Sequence, residues 1–394
     1  MGRRSKHSGC GFSLIELMVS LVVGMIVVGA AVKLFSQGMS ATFTVSQRAE
    51  MQQDLRAASN LILKDISLAG AGMPPGQGVA LPSGTPLNPI FGCDQVGNCI
   101  PGGGIAYPCS TNVGPCIPTL YGIIPGWQLG IKPPGSPNPT DIITIVYTDS
   151  NFALNCYIVS FPVGGAGGPV NPVTFTAPVP TPPTCALPPG LVNPQAVNDP
   201  VVGLTAGDLV LFQNTLPAGA GQAIAEVTNA AGGGGVYTAN FLNGDPLSFN
   251  QSGAAAGDLA QITAGNNTTA TRIFVISYYL KLLPDPLGVG PGIPVLMRQV
   301  SGHLPVPVAE NVVNMQFTYD TYDANGNLLN AAGNAGYPGT SLNLIRKINL
   351  DHFTIRSQVS GARSYMSSAT GYQSFDFQTS ISARNLSYQN RYSF

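Results

Sequence analysis

Charge is what this chain has least of. Only 9% of its 394 residues are Asp, Glu, Lys or Arg, against about a quarter in an ordinary soluble domain. The formal net charge is -1 and no arginine occurs between Arg56 and Arg272. With no clustered Lys or Arg to release counterions from phosphates, the composition argues against nucleic acid as a partner. Histidine is almost as scarce, with only His7, His303 and His352. No G-x-S-x-G elbow, P-loop or H-E-x-x-H helix accompanies them, so an enzyme is not expected and neither a cofactor nor a firm metal site is implied. Asp351 and His352 are adjacent in a strand-like run, which predicts side chains on opposite faces and a structural role for the imidazole.

Glycine (48) and proline (34) together exceed a fifth of the chain, a composition that favours loops and strands over surface helices. Against that background, residues 12–35 (FSLIELMVSLVVGMIVVGAAVKLF) form an apolar run charged only at Glu16 and Lys33. Its length matches the ~20 residues that cross a hydrocarbon core as a helix. The preceding MGRRSKHSGCG is short and basic, so the positive-inside rule keeps it cytoplasmic and sends the bulk of the chain outward. In an ordinary secretory signal the apolar region precedes the cleavage site and is discarded. Here glycine comes before the apolar run, and cutting there keeps the membrane helix.

The stretch Gly11-Phe12-Ser13-Leu14-Ile15-Glu16 resembles the class III signal of type IV pilins and type II secretion pseudopilins. The resemblance implies that prepilin peptidase cuts after Gly11, that the new N-terminal Phe12 is methylated, and that Glu16 serves subunit recruitment. An acid inside a spanning segment needs a partner. The new amino group on Phe12 offers one, within a helix or between staggered neighbours; the competing reading lets Glu16 reach interfacial water. Losing Arg3, Arg4 and Lys6 with the leader leaves 14 basic against 18 acidic residues, or -4. Losing Cys10 turns seven cysteines into six: Cys93, Cys99, Cys109, Cys116, Cys156 and Cys185. These are candidate disulfide formers for an oxidising compartment, with fifteen pairings open. Zinc competes, but five and six intervening residues separate the first two pairs, wider than the tight Cys-x2-4-Cys spacing of structural zinc.

Downstream, Met51, Leu55, Ala58, Ile62, Ile66 and Ala69 recur at helical spacing, and the Gly70–Pro75 segment GAGMPP stops the pattern. A helix from Phe12 to Ala69 runs roughly 87 Å. Its 12–35 half spans the membrane and its 36–70 half is amphipathic. The rest, 71–394, is a β-rich head that opens with Gly/Pro/Cys-rich loops over 71–200. Strand-like runs fall at 141–148, 154–161, 207–213, 272–283, 294–300, 311–319, 345–356 and 373–384, with 162–200 and 229–257 as long excursions. Asn-Gly and Pro-Gly punctuation favours antiparallel hairpins. The expected class is therefore α+β: a long pilin-type helix packed on a mainly antiparallel sheet with long disulfide-containing loops. Asp320, Asp323, Asn325 and Asn327 alternate as oxygen ligands of a calcium loop do, although Gly326 and the absence of a closing Glu fit a hairpin turn equally.

Arg298 and the segment Pro307 to Asp320, PVAENVVNMQFTYD, are similar to a region of PilW-like minor pilins, as is the closing Ser382-Ala383-Arg384-Asn385-Leu386. This resemblance implies a structural minor pilin that initiates or caps a type IV pilus. Its expected partners are prepilin peptidase, the major and other minor pilins, the inner-membrane assembly platform and membrane lipid. The expected location is the bacterial inner membrane, with a cytoplasmic N-terminus and a periplasmic head, and then the cell-surface pilus. A type II secretion pseudopilin and a pilus-tip adhesive subunit are the alternatives.

Overall fold

The structure, a computed structural model, describes residues 13–73, 78–81, 88–89, 106–107, 119–134, 136, 138–162, 172–177, 187, 191, 193–214, 221–245, 247, 249–250, 259, 262, 268–284, 292–323, 325–329, 342–357, 372–383 and 385–386. One helix, α1 (Leu14–Leu68), opens the chain. It crosses two compact units, residues 1–53 and 54–394. In the first unit every side chain from Leu14 to Phe43 is exposed, and the run is long and apolar enough to cross a membrane. In the second, α1 buries Ala58, Ile62 and Ile66, with Ala69 just beyond it, as the helical spacing predicts.

Among the described residues, eighteen strands follow. They are β1 (Val79–Ala80), β2 (Asn88–Pro89), β3 (Ala106–Tyr107), β4 (Thr119–Leu120), β5 (Ile123–Gly126), β6 (Ile142–Thr148), β7 (Ile158–Ser160), β8 (Val173–Thr176) and β9 (Leu209–Asn214). The second half holds β10 (Gly221–Glu226), β11 (Asn229–Gly233), β12 (Val236–Asn240), β13 (Thr268–Leu283), β14 (Ile293–Val300), β15 (Val306–Glu310), β16 (Val312–Thr321), β17 (Ile345–Arg356) and β18 (Ser374–Ser382). A seven-stranded sheet runs β10-β9-β13-β14-β15, with β6 also on β13 and β5 on β6. Beside it are a four-stranded sheet, β11-β12-β8-β7, a three-stranded sheet, β16-β17-β18, and the pairs β1-β4 and β2-β3. Every described pairing between these strands is antiparallel.

The organising strand is β13, TTATRIFVISYYLKLL, whose β-branched and aromatic residues suit a pleated, buried surface. Along its length it pairs in turn with β9, β6 and β14. Phe212 and Ala223 of β9 and β10 meet Val159, Phe175 and Ala239 of the four-stranded sheet in a single apolar cluster that includes Ala270 of β13. Each fully buried aromatic or branched side chain there contributes about 1.5–3 kcal/mol.

Two expectations need correction. The predicted strand at 154–161 is instead a single 3-10 turn, Leu154–Cys156, followed by the short β7. The excursion at 229–257 begins with the β11-β12 hairpin, and β8 lies within that at 162–200. Gly234 and Gly235 turn the hairpin at φ 66° and 86°, values for which a two-residue turn needs left-handed backbone, so a glycine run that reads as loop is turn chemistry.

The helix is joined to the sheet by charge. Asp65 lies on the buried face of α1 at 2% exposure. Its Oδ2 accepts from Tyr278 Oη (2.6 Å) and from Arg298 Nε (2.9 Å). Tyr278 and Arg298 are direct partners across β13 and β14, so both reach the same face and converge on one carboxylate. Burial, and then the Asp65 charge, push the Tyr278 phenol far above its ordinary value. Beyond α1, the Gly70 amide donates to the Val146 carbonyl and the Thr148 amide to the Ala71 carbonyl, both at 2.8 Å, tying the helix exit to β6. Elsewhere Arg272 bonds Asp149 through Nε (3.0 Å) and the Gly203 carbonyl through Nη1 (2.9 Å), and lies over the Phe152 ring.

A buried pair of acids, Glu226 and Asp245, ties Phe249 and Asn250 to the end of β10. Asp245 accepts from the Phe249 and Asn250 amides, while Asn250 bonds the Glu226 backbone in both directions. Burial and then the Asp245 charge raise the Glu226 carboxyl well above its usual range.

Because removing one member of a buried ion pair strands the other, Asp65→Ala is expected to cost about 3–5 kcal/mol in denaturant unfolding. Tyr278→Phe is expected to cost about 1.5 kcal/mol. A raised folded pKa means that Glu226 supports the fold fully below its unfolded value of 4.5 and loses that contribution as pH rises through the folded value. Thermal melts of Glu226→Gln are therefore expected to fall less with pH than those of the parent.

Candidate functional site

Two places concentrate functional chemistry. At the helix start, Gly11 and Phe12 lie outside the described residues, whereas Glu16 is placed. The Ser13 amide donates to Glu16 Oε2 at 3.0 Å, and the Ile15 amide to Ser13 Oγ at 3.4 Å. This is a capping box, in which a Ser and an acid three residues on satisfy orphan amides of the first turn reciprocally. The Phe12 amino group expected from the sequence is thus not the sole candidate partner of Glu16, and Ser-x-x-Glu at positions 13–16 is the sequence signal of this local one. In a bilayer, where no water can take an unpaired amide, such a cap matters more than at a wet helix end.

The second place is a hollow of about 460 Å³ in the head, lined by the turn after β5, the loop leading to β6 and the polar face of the β16-β17-β18 sheet. Met315, Phe317 and Tyr319 of β16 and Leu350 and Phe353 of β17 are buried. Gln316 and Thr318 alternate with them and line the hollow. Trp127, the chain's single tryptophan, is 46% exposed at its rim. Next to it, Gln128 adopts a left-handed φ of 52°. Asp141 holds it there: one carboxylate oxygen accepts from the Gln128 amide (2.7 Å) and the other from the Phe317 amide (2.8 Å). Burial raises the Asp141 carboxyl to about 6, the two amide bonds pull against that shift, and the Asp351 charge adds a small push upward.

The expectation for Asp351 and His352 fails here for a physical reason. Alternation breaks in β17, where both residues sit opposite the single Gln378 between the pairs Leu350–Thr379 and Phe353–Phe377. This β-bulge re-aims the chain, and Asp351 and His352 both line the hollow. They still form no dyad, because the His352 ring bonds Asp376 through Nδ1 at 3.0 Å.

The calcium candidates are directed elsewhere. Asp320 meets Lys347 (3.4 Å) and Asn349 (3.1 Å). Both Asp323 oxygens accept from Asn327, with Gly326 at φ 83° in the turn. Asn325 lies in that turn, and no group of three or more possible metal ligands occurs among the described His, Cys, Asp and Glu residues. Cys156 is buried and disulfide-bonded. Cys93, Cys99, Cys109, Cys116 and Cys185 lie outside the described residues, as does Cys10.

Residues 7–32 match the family model described as a prokaryotic N-terminal methylation motif, the prepilin-type signal. Such a signal supports a type IV pilin-like or pseudopilin-type protein, structural rather than enzymatic. It implies processing by a prepilin peptidase and assembly with pilus components, and together with the apolar helix it supports membrane anchoring. No curated protein and no solved structure matches the chain.

Trp127 adjoins the Asp141 hydrogen-bond pair, so its emission should report that carboxyl. A fluorescence step with a midpoint near pH 6 is expected. Asp141→Asn should abolish the step, and Asp351→Asn, by removing a negative charge, should move it to lower pH.

Proposed function

We propose that this chain is a structural minor pilin, similar to PilW-like proteins, that takes part in initiating or capping a type IV pilus. The methylation motif at residues 7–32 carries the reading. Prepilin peptidase removes residues 1–11 by cutting after Gly11 and methylates Phe12. The helix remains in the inner membrane, cytoplasmic end first, with the head in the periplasm, until the subunit leaves through the assembly platform with the major and other minor pilins. The remaining cysteines, Cys93, Cys99, Cys109, Cys116, Cys156 and Cys185, brace the head loops there as disulfides. The PVAENVVNMQFTYD segment supports the minor-pilin assignment and spans β15 and β16.

Within this reading Glu16 has two roles on its two oxygens. Oε2 caps its own helix through the Ser13 amide, and the charge pairs with the Phe12 amino group of a neighbouring subunit. A carboxylate and an ammonium that meet at the same bilayer depth each relieve the other's desolvation. Gly24, Gly29 and Gly38 carry no side chain on the exposed run of the helix, which lets neighbouring helices approach closely.

Mass spectrometry of the purified protein should show an N-terminus at N-methyl-Phe12; any other start overturns the proposal. Glu16→Ala should leave processing and insertion intact and lower filament incorporation about tenfold or more. Glu16→Gln separates the two roles, because glutamine preserves a capping box but not a charge. Incorporation as poor as in Glu16→Ala assigns the defect to charge pairing, whereas normal incorporation refutes it.

A further inference from the structure

The hollow beside Trp127 has a chemical character that filament assembly does not use. Among the described residues its lining contains no lysine or arginine, and it carries the acids Asp141 and Asp351. An anionic ligand, whether phosphate, sulfate or carboxylate, would meet two like charges there. Among the described residues the apolar lining is Trp127 and Phe317, and Phe317 is only 1% exposed. A lipid or other wholly apolar ligand therefore gains little beyond a single ring face. What the described lining offers is one half-exposed indole beside the amides of Gln316, Gln378 and Asn138, which each donate and accept, together with the acceptor Asp351 and the His352 imidazole.

We propose that this hollow is a saccharide-binding site that takes a neutral sugar ring. A pyranose has an apolar C–H face, which lies on an aromatic ring, and a rim of hydroxyls, each both donor and acceptor, which pair with amides and carboxylates. The site is preorganised for this. The Asp141 bonds to Gln128 and Phe317 hold the Trp127 turn against the sheet. The β17 bulge brings two polar residues to the same side in place of one. The bond from His352 Nδ1 to Asp376 sets the imidazole so that Nε2 is the polar atom left for a ligand. A volume of about 460 Å³ lies in the range of small-ligand pockets and admits one or two sugar rings. The site belongs to the head alone and does not depend on the filament reading.

Because Trp127 is the only tryptophan, its emission is a direct reporter. The full chain in detergent micelles is titrated with glucose, galactose, mannose, N-acetylglucosamine and their β-linked disaccharides, with a sialic acid and calcium chloride as separate arms. Saturable quenching or a blue shift is expected with at least one neutral sugar. Gln378→Ala, at an exposed position, and Asp351→Asn should each weaken binding at least tenfold while leaving the thermal melt in place. Calorimetry with Trp127→Ala should show the same loss. A flat response to every neutral sugar overturns the proposal. So does a response confined to calcium or to the sialic acid, or an affinity for neutral sugars that is unchanged in Gln378→Ala and Asp351→Asn.

Discussion

The carboxylate of Asp65 is where a helix built for lipid becomes part of a β-rich head. Its two partners are register neighbours on the longest strand and the strand beside it, so the contact sets the rotation of the helix about its axis as well as its position. The exit at Gly70 and Ala71 then meets β6. The same strand is preceded by Asp141, which clasps the Trp127 turn and β16. One seven-residue strand, β6, therefore links the helix exit to the hollow.

Scarcity of charge gives each ionised group more consequence. Instead of spreading over the surface, several charges are enclosed together: Asp65 with Arg298, and Asp149 and Asp208 with Arg272. Surface pairs contribute little to stability. Enclosed pairs are different in kind, since each partner becomes costly when the other is missing. They act as registration marks, joining elements that lie far apart in the sequence.

Much of the fold was legible in the residues. The Ala58-Ile62-Ile66-Ala69 spacing marks the buried face of the helix, and β-branched runs mark β6, β13 and β17, because those signals are local. The pairing of Asp65 with Arg298 was hidden, since it spans more than two hundred residues, but one clue was present: Asp65 interrupts an otherwise apolar helical face. The β11-β12 hairpin escaped notice because a run of glycines serves equally as loop and as left-handed turn. The prepilin signal was legible from six residues because peptidase recognition reads a linear motif. The hollow was not, because it is assembled from five separate segments and from a bulge that violates the alternation on which strand reading rests.

That bulge separates two sets of constraints within one sheet. On the apolar face, the register resumes on either side of it, so Leu350 and Phe353 both remain buried. The opposite face gains an extra position without displacing them. Substitution at the bulge can therefore change what the outer face presents while the packed side of the strand keeps its register, so that recognition chemistry and stability are decoupled at this point of the sheet.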